Sequence, residues 1–377
     1  MAKIINPFIV TGKIAPEYFC DRVSESARLV KSVTNGNNLV VISPRRMGKT
    51  GLIQFCYDKP EIGKEYYTFF IDILHTSSLR EFTYLLGREI YETLLPRSRK
   101  MATLFIQTIK SISGKFGFDP ITNLPAFNVE LGDIERPEYT LDEIFQYLAH
   151  ADKPCIVAID EFQQIAEFKD SKTFQKRLRS IWQLQKSVSY CLFGSKKHLM
   201  NELFEKRSLP FYKFGDAIYL TKIGTADWVD YICGRFEATG KQISKELAEK
   251  ICQRVDNHSS YVQQLAWLVW IHTDKVATEQ DFEEAYQDII DQNTPLFEKQ
   301  TESLTTYQMN FLRAIIDGVH SEFTTQEVLQ KYQLGSSANV SIVKRALVKK
   351  ELIEIEKRQA IIPDPVMKVW LKRELGV

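Results

Sequence analysis

The stretch Ser43-Pro44-Arg45-Arg46-Met47-Gly48-Lys49-Thr50 follows directly on the apolar run Leu39-Val40-Val41-Ile42. Its residue types and spacing suit the binding of a triphosphate. In a loop of the form G-x-x-x-x-G-K-[ST], backbone N–H groups turn inward on phosphate oxygens, the Lys meets the β- and γ-phosphates, and the hydroxyl meets Mg²⁺. Here Ser43 takes the place of the first Gly, while Gly48, Lys49 and Thr50, the chemically demanding part, are intact. The helix that follows offers its positive N-terminal end to the same phosphates. ATP with Mg²⁺ is therefore the expected ligand, cradled by residues 43–51, with Thr50 on the metal.

Further along, Cys155-Ile156-Val157-Ala158-Ile159 reads as a buried strand that ends in Asp160-Glu161. This is a Walker B arrangement. Asp160 can hold Mg²⁺ at one remove, and Glu161 can orient and deprotonate an attacking water. A third run, Ser189-Tyr190-Cys191-Leu192-Phe193, stops at Gly194-Ser195. If that strand neighbours the other two, Ser195 lies beside the γ-phosphate as a sensor; it can equally cap the helix that begins near Lys196.

These side chains need a scaffold. Strands that are apolar at every position belong to a parallel sheet covered on both faces. Further strands are expected at 66–73, which carries Asp72, and at 217–220, giving a doubly wound α/β domain. Residues 16–38 hold a helical pattern ending at Asn35-Gly36-Asn37. Ahead of it, Phe19 and Arg22 can cover an adenine base or simply pack as an N-terminal arm. An insert over about 96–140 reads as a helix from about 98 to 113 followed by a β-hairpin. Its expected place is the outer surface, away from catalysis.

From 224 to about 294 the pattern is wholly helical and reads as a lid over 223–295. Within it, Asn257-His258-Ser259-Ser260-Tyr261 starts a helix, and His258 can either reach a nucleotide or cap that helix. Residues 296–377 show three helices, including a capping-box start at Thr324-Thr325-Gln326-Glu327 and a third helix over 340–350, then a hairpin with Lys357-Arg358 at its tip. That is a winged helix. Its third helix carries Lys344, Arg345, Lys349 and Lys350, which can meet DNA phosphates. Basic residues exceed acidic ones there by only two, short of the footprint of a strong nucleic-acid binder. Such modules also meet proteins or inhibit their own chain.

The chain has 377 residues, 44% hydrophobic and 26% charged, with net charge +1. That excludes general disorder and a histone-like character. Six dispersed cysteines without a C-x-x-C read as buried thiols in a reducing compartment, and six scattered histidines assemble no zinc set. No long apolar stretch suggests a membrane span or a leader, so a cytoplasmic location is expected.

The loop with Arg-Arg before Met-Gly-Lys-Thr, the strand end Asp160-Glu161, Gly194-Ser195 with Pro210-Phe211-Tyr212, the segment 257–265, and Asp364-Pro365 with Trp370-Leu371 together resemble the archaeal-type ATPase family. That family is a STAND-class branch of the P-loop NTPases, near the AAA+ proteins, and the likeness covers almost the whole chain. It implies an α/β core at 1–222, a helical lid and a winged helix, and an ATPase acting as a nucleotide-controlled switch. Lys49, Thr50, Asp160 and Glu161 then inherit the ATP-site roles and Ser195 the sensor role. Lys213-Phe214 stand where a Gly-Arg pair often follows the Tyr, which leaves Arg207 as the candidate finger reaching a neighbouring subunit of a homo-oligomer. The competing implication is a DNA-binding protein in which ATP is structural or regulatory.

Overall fold

A computed structural model describes residues 6–9, 14–115, 117–118, 125–126 and 129–376. The chain forms two compact units, one of residues 13–221 and one of residues 1–12 with 222–377.

In the first unit the elements run α1 (Val23–Thr34), β1 (Leu39–Ile42), α2 (Lys49–Tyr57), α3 (Pro60–Gly63), β2 (Tyr67–Asp72), α4 (Leu79–Leu94), α5 (Arg99–Thr108), β3 (Gly117–Phe118), β4 (Pro125–Ala126), α6 (Pro137–Ala149), β5 (Cys155–Asp160), α7 (Ser171–Trp182), β6 (Val188–Gly194), α8 (Lys197–Glu205) and β7 (Asp216–Tyr219). Five strands make one wholly parallel sheet in the order β2-β5-β6-β1-β7. The expected doubly wound sheet is thus present, and β6 stands between β1 and β5. Every residue of β1, β5 and β6 is buried, because helices cover both faces. Alternation sends Val40, Ile42, Val157, Ile159, Tyr190 and Leu192 to one core and Leu39, Val41, Ile156, Ala158, Cys191 and Phe193 to the other.

Asn38 starts both ladders of β1. Its side-chain oxygen accepts from the Tyr190 amide and its carbonyl from the Asp216 amide, each at 2.9 Å. Gly215 lies so close to that turn that a Cβ would collide with the Asn38 carbonyl. The insert is fastened from beneath by Glu143, buried on α6. Its carboxylate accepts from the amides of Lys110 (3.2 Å) and Ser111 (3.1 Å) and from the Ser111 hydroxyl (2.6 Å). Those amides are lost to the α-helical ladder, which explains why α5 ends at Thr108, short of the expected 113, and a 3-10 turn follows at Lys110–Lys115. The expected hairpin is represented by the antiparallel pair β3–β4; its remaining residues 116, 119–124 and 127–128 lie outside the described residues.

The second unit contains α9 (Thr225–Glu237), α10 (Lys245–Arg254), α11 (Ser259–His272), α12 (Glu279–Thr301), α13 (Thr306–Ile316), α14 (Gln326–Lys331), α15 (Ser337–Lys349), β8 (Glu354–Glu356), β9 (Gln359–Ile361) and α16 (Pro365–Glu374). The winged helix is α13 to α15 with the β8–β9 hairpin, whose tip residues Lys357 and Arg358 both adopt left-handed φ. α15 begins earlier than its apolar pattern indicated, because the Ser336 side chain caps it on the Asn339 amide. The expected capping box at α14 is not formed: Thr325 is the N-cap without a side-chain bond. α12 runs 23 residues with Pro295 inside it. Tyr261 on α11 donates to Asp364 Oδ2 at 2.7 Å, while Asp364 Oδ1 caps α16 through the Val366 and Met367 amides. Among the described residues, no helix is long and apolar enough to cross a membrane.

Replacing Gly215 with Ala forces backbone apart at the start of β1, and we expect a loss of about 1–3 kcal/mol. Urea unfolding checks this; an unchanged midpoint would contradict the close approach.

Candidate nucleotide site

The loop after β1 closes on its own lysine. Lys49 is only 6% exposed, and its ammonium donates to the Ser43 carbonyl (3.1 Å), the Ser43 hydroxyl (3.2 Å) and the Pro44 carbonyl (2.8 Å). Three donors meet three acceptors. Ser43, in the place of the expected Gly, therefore contributes its hydroxyl to loop closure. Arg46 and Gly48 both take left-handed φ, 59° and 88°, a turn that a β-branched residue could not make without strain. The buried Met47 side chain anchors the loop. Gly48 is also the N-cap of α2 and has no side chain to satisfy the first-turn amides, which leaves them for an anionic ligand.

Because β6 lies between β1 and β5, the three strand ends converge. Thr50 Oγ1 donates to Asp160 Oδ2 at 3.0 Å, and the Glu161 amide donates to Asp160 Oδ1 at 2.8 Å. Ser195, at the end of β6, donates from its hydroxyl (3.0 Å) and its amide (3.4 Å) to Glu161 Oε2. Arg45 Nε donates to Ser195 Oγ at 3.3 Å. Loop, acidic pair and Ser195 thus form one connected constellation. Sequence reasoning assigned no role to Gln163, which is fully buried and donates through Nε2 to the same Glu161 oxygen. A polar residue two positions after the acidic pair, amid Phe162 and Ile165, was its only signal. It fits because Gly194 has no Cβ to strike its amide.

Burial pushes the Lys49 ammonium down to about 8, against the opposing fields of Glu161 and Asp160. Burial likewise lifts the Asp160 carboxyl to about 6, with the Glu161 amide and the Thr50 hydroxyl pulling it down and the charges of Glu161 and Asp72 adding to the rise. Asp72 is the residue paired in register with Asp160. The Thr50 hydroxyl beside the Asp160 carboxylate is the all-oxygen donor set that suits Mg²⁺, an ion that keeps waters and completes its shell with phosphate oxygens. Among the described residues, no group of three His, Cys, Asp or Glu could hold a metal unaided.

The remaining expected residues divide. Phe19 stacks on Phe55 at 4.1 Å with planes 3° apart, so one of its ring faces is taken by protein. Arg22 is 4% exposed; it donates to the Thr221 carbonyl (2.7 Å) and the Met47 carbonyl (3.4 Å) and pairs with Glu25 (2.8 Å). It clamps the arm to the loop backbone. Gly51 admits Ile14, which a Cβ there would approach to 3.2 Å. Arg207 is exposed between α8 and β7 and, among the described residues, bonds to no member of the constellation. His258 belongs to the other unit, where it is the N-cap residue of α11 with its ring 4.9 Å from that of Tyr261.

A family model of ATPase domains predominantly from Archaea matches residues 19–265, and one of probable winged helix domains matches 295–373. No curated protein matches the sequence. Among solved structures the chain is similar to a Walker-type ATPase of Pyrococcus abyssi, with TM-score 0.70 and 16% identity over 97% of this chain and 99% of that one. It is also similar to the Aeropyrum pernix ORC2 protein in its ADPNP-ADP complexes (TM-score 0.58, 13% identity, 96% and 98% covered). A third similar structure is the ORC1 protein of the same organism in complex with DNA (TM-score 0.51, 12% identity, 98% and 97% covered). At such identities the likeness is one of fold.

The two shifted groups bracket a pH window for an Mg²⁺-bound polyphosphate. Below about 6, Asp160 takes a proton and loses the charge that would attract a metal; above about 8, Lys49 sheds the proton that a bound phosphate would restore. Affinity should be greatest between these values. On the alkaline side binding takes up a proton, seen as a calorimetric enthalpy that changes with the ionisation enthalpy of the buffer at about pH 8.5. A flat profile with no buffer dependence would contradict it.

Proposed function

Because the chain belongs to the family of ATPase domains found predominantly in Archaea, we propose that this nucleotide-binding ATPase is a Mg²⁺-dependent switch of the STAND and AAA+-like kind that hydrolyses ATP slowly in the cytoplasm. The observation that carries the reading is the chain of bonds Thr50–Asp160–Glu161–Ser195 at the rim of a phosphate loop. Lys49 exchanges its loop carbonyls for β- and γ-phosphate oxygens, and the first-turn amides of α2 donate to the remaining phosphate oxygens. Thr50 and Asp160 would hold Mg²⁺, which neutralises phosphate charge when bound. Glu161 takes a proton from the water that attacks the γ-phosphorus as the bond to the bridging oxygen breaks and ADP departs. Ser195 senses whether the γ-phosphate is there. Slowness fits the carboxylate of Glu161, whose Oε2 is already engaged by Ser195 and Gln163.

In this reading residues 223–295 are the lid and 296–377 the output module. The Tyr261–Asp364 bond supports their moving together. A second reading, DNA binding with ATP in a structural or regulatory role, is favoured by the exposure of Arg345 and Lys349 on α15 and of its C-cap residue Lys350, although Lys344 is partly buried and the wing strands add Glu354 and Glu356. A protein partner or a second copy is the other candidate for this face.

Lys49→Ala should abolish ATP binding by calorimetry, and equal affinity in variant and parent would remove the site assignment. Glu161→Gln keeps shape but takes no proton, so ATP should still bind while single-turnover hydrolysis falls by roughly 10²-fold or more.

For the second reading, Gln at Lys344, Arg345, Lys349 and Lys350 should flatten the slope of log affinity for duplex DNA against log salt by about 0.9 for each phosphate no longer neutralised. Fluorescence anisotropy across a salt series decides it, and a parent that binds no DNA at low salt eliminates this reading.

A further inference from the structure

Phosphoryl transfer is accelerated by a cation on the γ-phosphate beyond the loop lysine and Mg²⁺, because negative charge is spread over three equatorial oxygens while the water attacks. Lys49 is held on the Ser43 and Pro44 side of the loop. Among the described residues, Arg22 is committed to the Met47 and Thr221 carbonyls and Glu25, Lys196 pairs with Glu167, and the loop itself carries the neighbouring pair Arg45 and Arg46. Of that pair, Arg45 points to the chemistry: its Nε donates to Ser195 Oγ at 3.3 Å, and the same hydroxyl donates to Glu161 Oε2 at 3.0 Å. One small hydroxyl therefore separates its guanidinium from the carboxylate assigned to receive the proton. Its charge is also felt at Lys49. Unlike Lys49, a guanidinium never loses its proton in water, and its planar fork matches the oxygens of a phosphoryl group.

We infer that Arg45 is the arginine finger of this ATPase, supplied by the phosphate loop itself, so that each chain carries a complete catalytic set and no neighbouring subunit is required. The inference rests on the proposed ATPase reading. With ATP bound, Arg45 leaves Ser195 for a γ-phosphate oxygen; with ADP it returns. It transfers no proton: the water proton passes to Glu161 and the electron pair of the breaking bond stays on ADP. Release of Ser195 by Arg45 also untethers that hydroxyl, which turns its proton from Glu161 Oε2 to a γ-phosphate oxygen, so hydrolysis and the sensing of ATP against ADP share one side chain.

The test compares the full-length parent with Arg45→Gln and Arg45→Lys, reading affinities for ADP and for a non-hydrolysable ATP analogue and the single-turnover rate. Arg45→Gln should lose about tenfold or more of the parent's preference for the analogue over ADP, and hydrolysis should fall about 10³-fold. Arg45→Lys should lie between. The parental rate per molecule should not change on dilution. An unchanged preference or an unchanged rate in Arg45→Gln overturns the inference, as does a parental rate per molecule that climbs with protein concentration and is lost in Arg207→Ala. Should Arg45→Gln misfold, the Lys variant and the dilution series decide alone. Absence of ATP binding by the parent would instead remove the ATPase reading on which the inference rests.

Discussion

A buried ammonium group governs this fold. Taking the Lys49 charge out of water costs several kcal/mol, and the protein offsets it with two carbonyls, a hydroxyl and the nearby carboxylates of Asp160 and Glu161. Those acceptors are in place only if the chain turns sharply after Ile42 and if β5 delivers its acidic end beside the loop. The apolar strands hold both in position: a fully buried Val, Leu or Ile stabilises by about 1.5–3 kcal/mol, and β1, β5 and β6 are buried throughout. Sheet and charge are interdependent, since a cation so placed would be intolerable on a looser scaffold.

The loop after β1, the acidic strand end and the all-apolar strands were legible in the sequence because each is local: a short run of residues specifies its own backbone. Ser195 was legible only on condition that its strand neighbours the other two, and β6 meets that condition by lying between β1 and β5. Interactions set by distant partners were not legible. Nothing near Thr108 announces that Glu143 will take the next amides, nothing near Arg22 that its guanidinium closes on Thr221, and nothing near Gln163 that the missing Cβ of Gly194 makes room for it. The capping pattern is not self-sufficient: Thr325 caps nothing with its side chain, whereas Thr278 and Thr305 form full capping boxes.

Polar saturation is the common theme of the constellation. The oxygen Glu161 Oε2 accepts from Ser195 and Gln163 at once, and the Lys49 ammonium has an acceptor for each of its protons. Gln163 Oε1 is the exception, buried without a partner among the described residues; elsewhere a ligand would have to compete with bonds that already exist. Binding energy is drawn down by that competition, which favours ligands of high charge density over neutral ones.

The helix α12 passes position 295 without interruption, although Pro295 removes one of its amide donors. Its earlier turns bury Phe282, Ile289 and Ile290, and its last turns place Phe297 5.6 Å from Trp370 of α16. For anyone dissecting the protein, this means that the winged helix has no natural seam on its N-terminal side. A fragment beginning at 296 would carry a frayed half-helix, expose the face that Trp370 and Phe297 share with the preceding turns, and strip Asp364 of its tyrosine. Even a piece starting before α9 would lose Phe8, which is fully buried against Tyr231 and Phe236 of α9, so lid and winged helix would have to be expressed, labelled and crystallised as a single body together with that N-terminal segment.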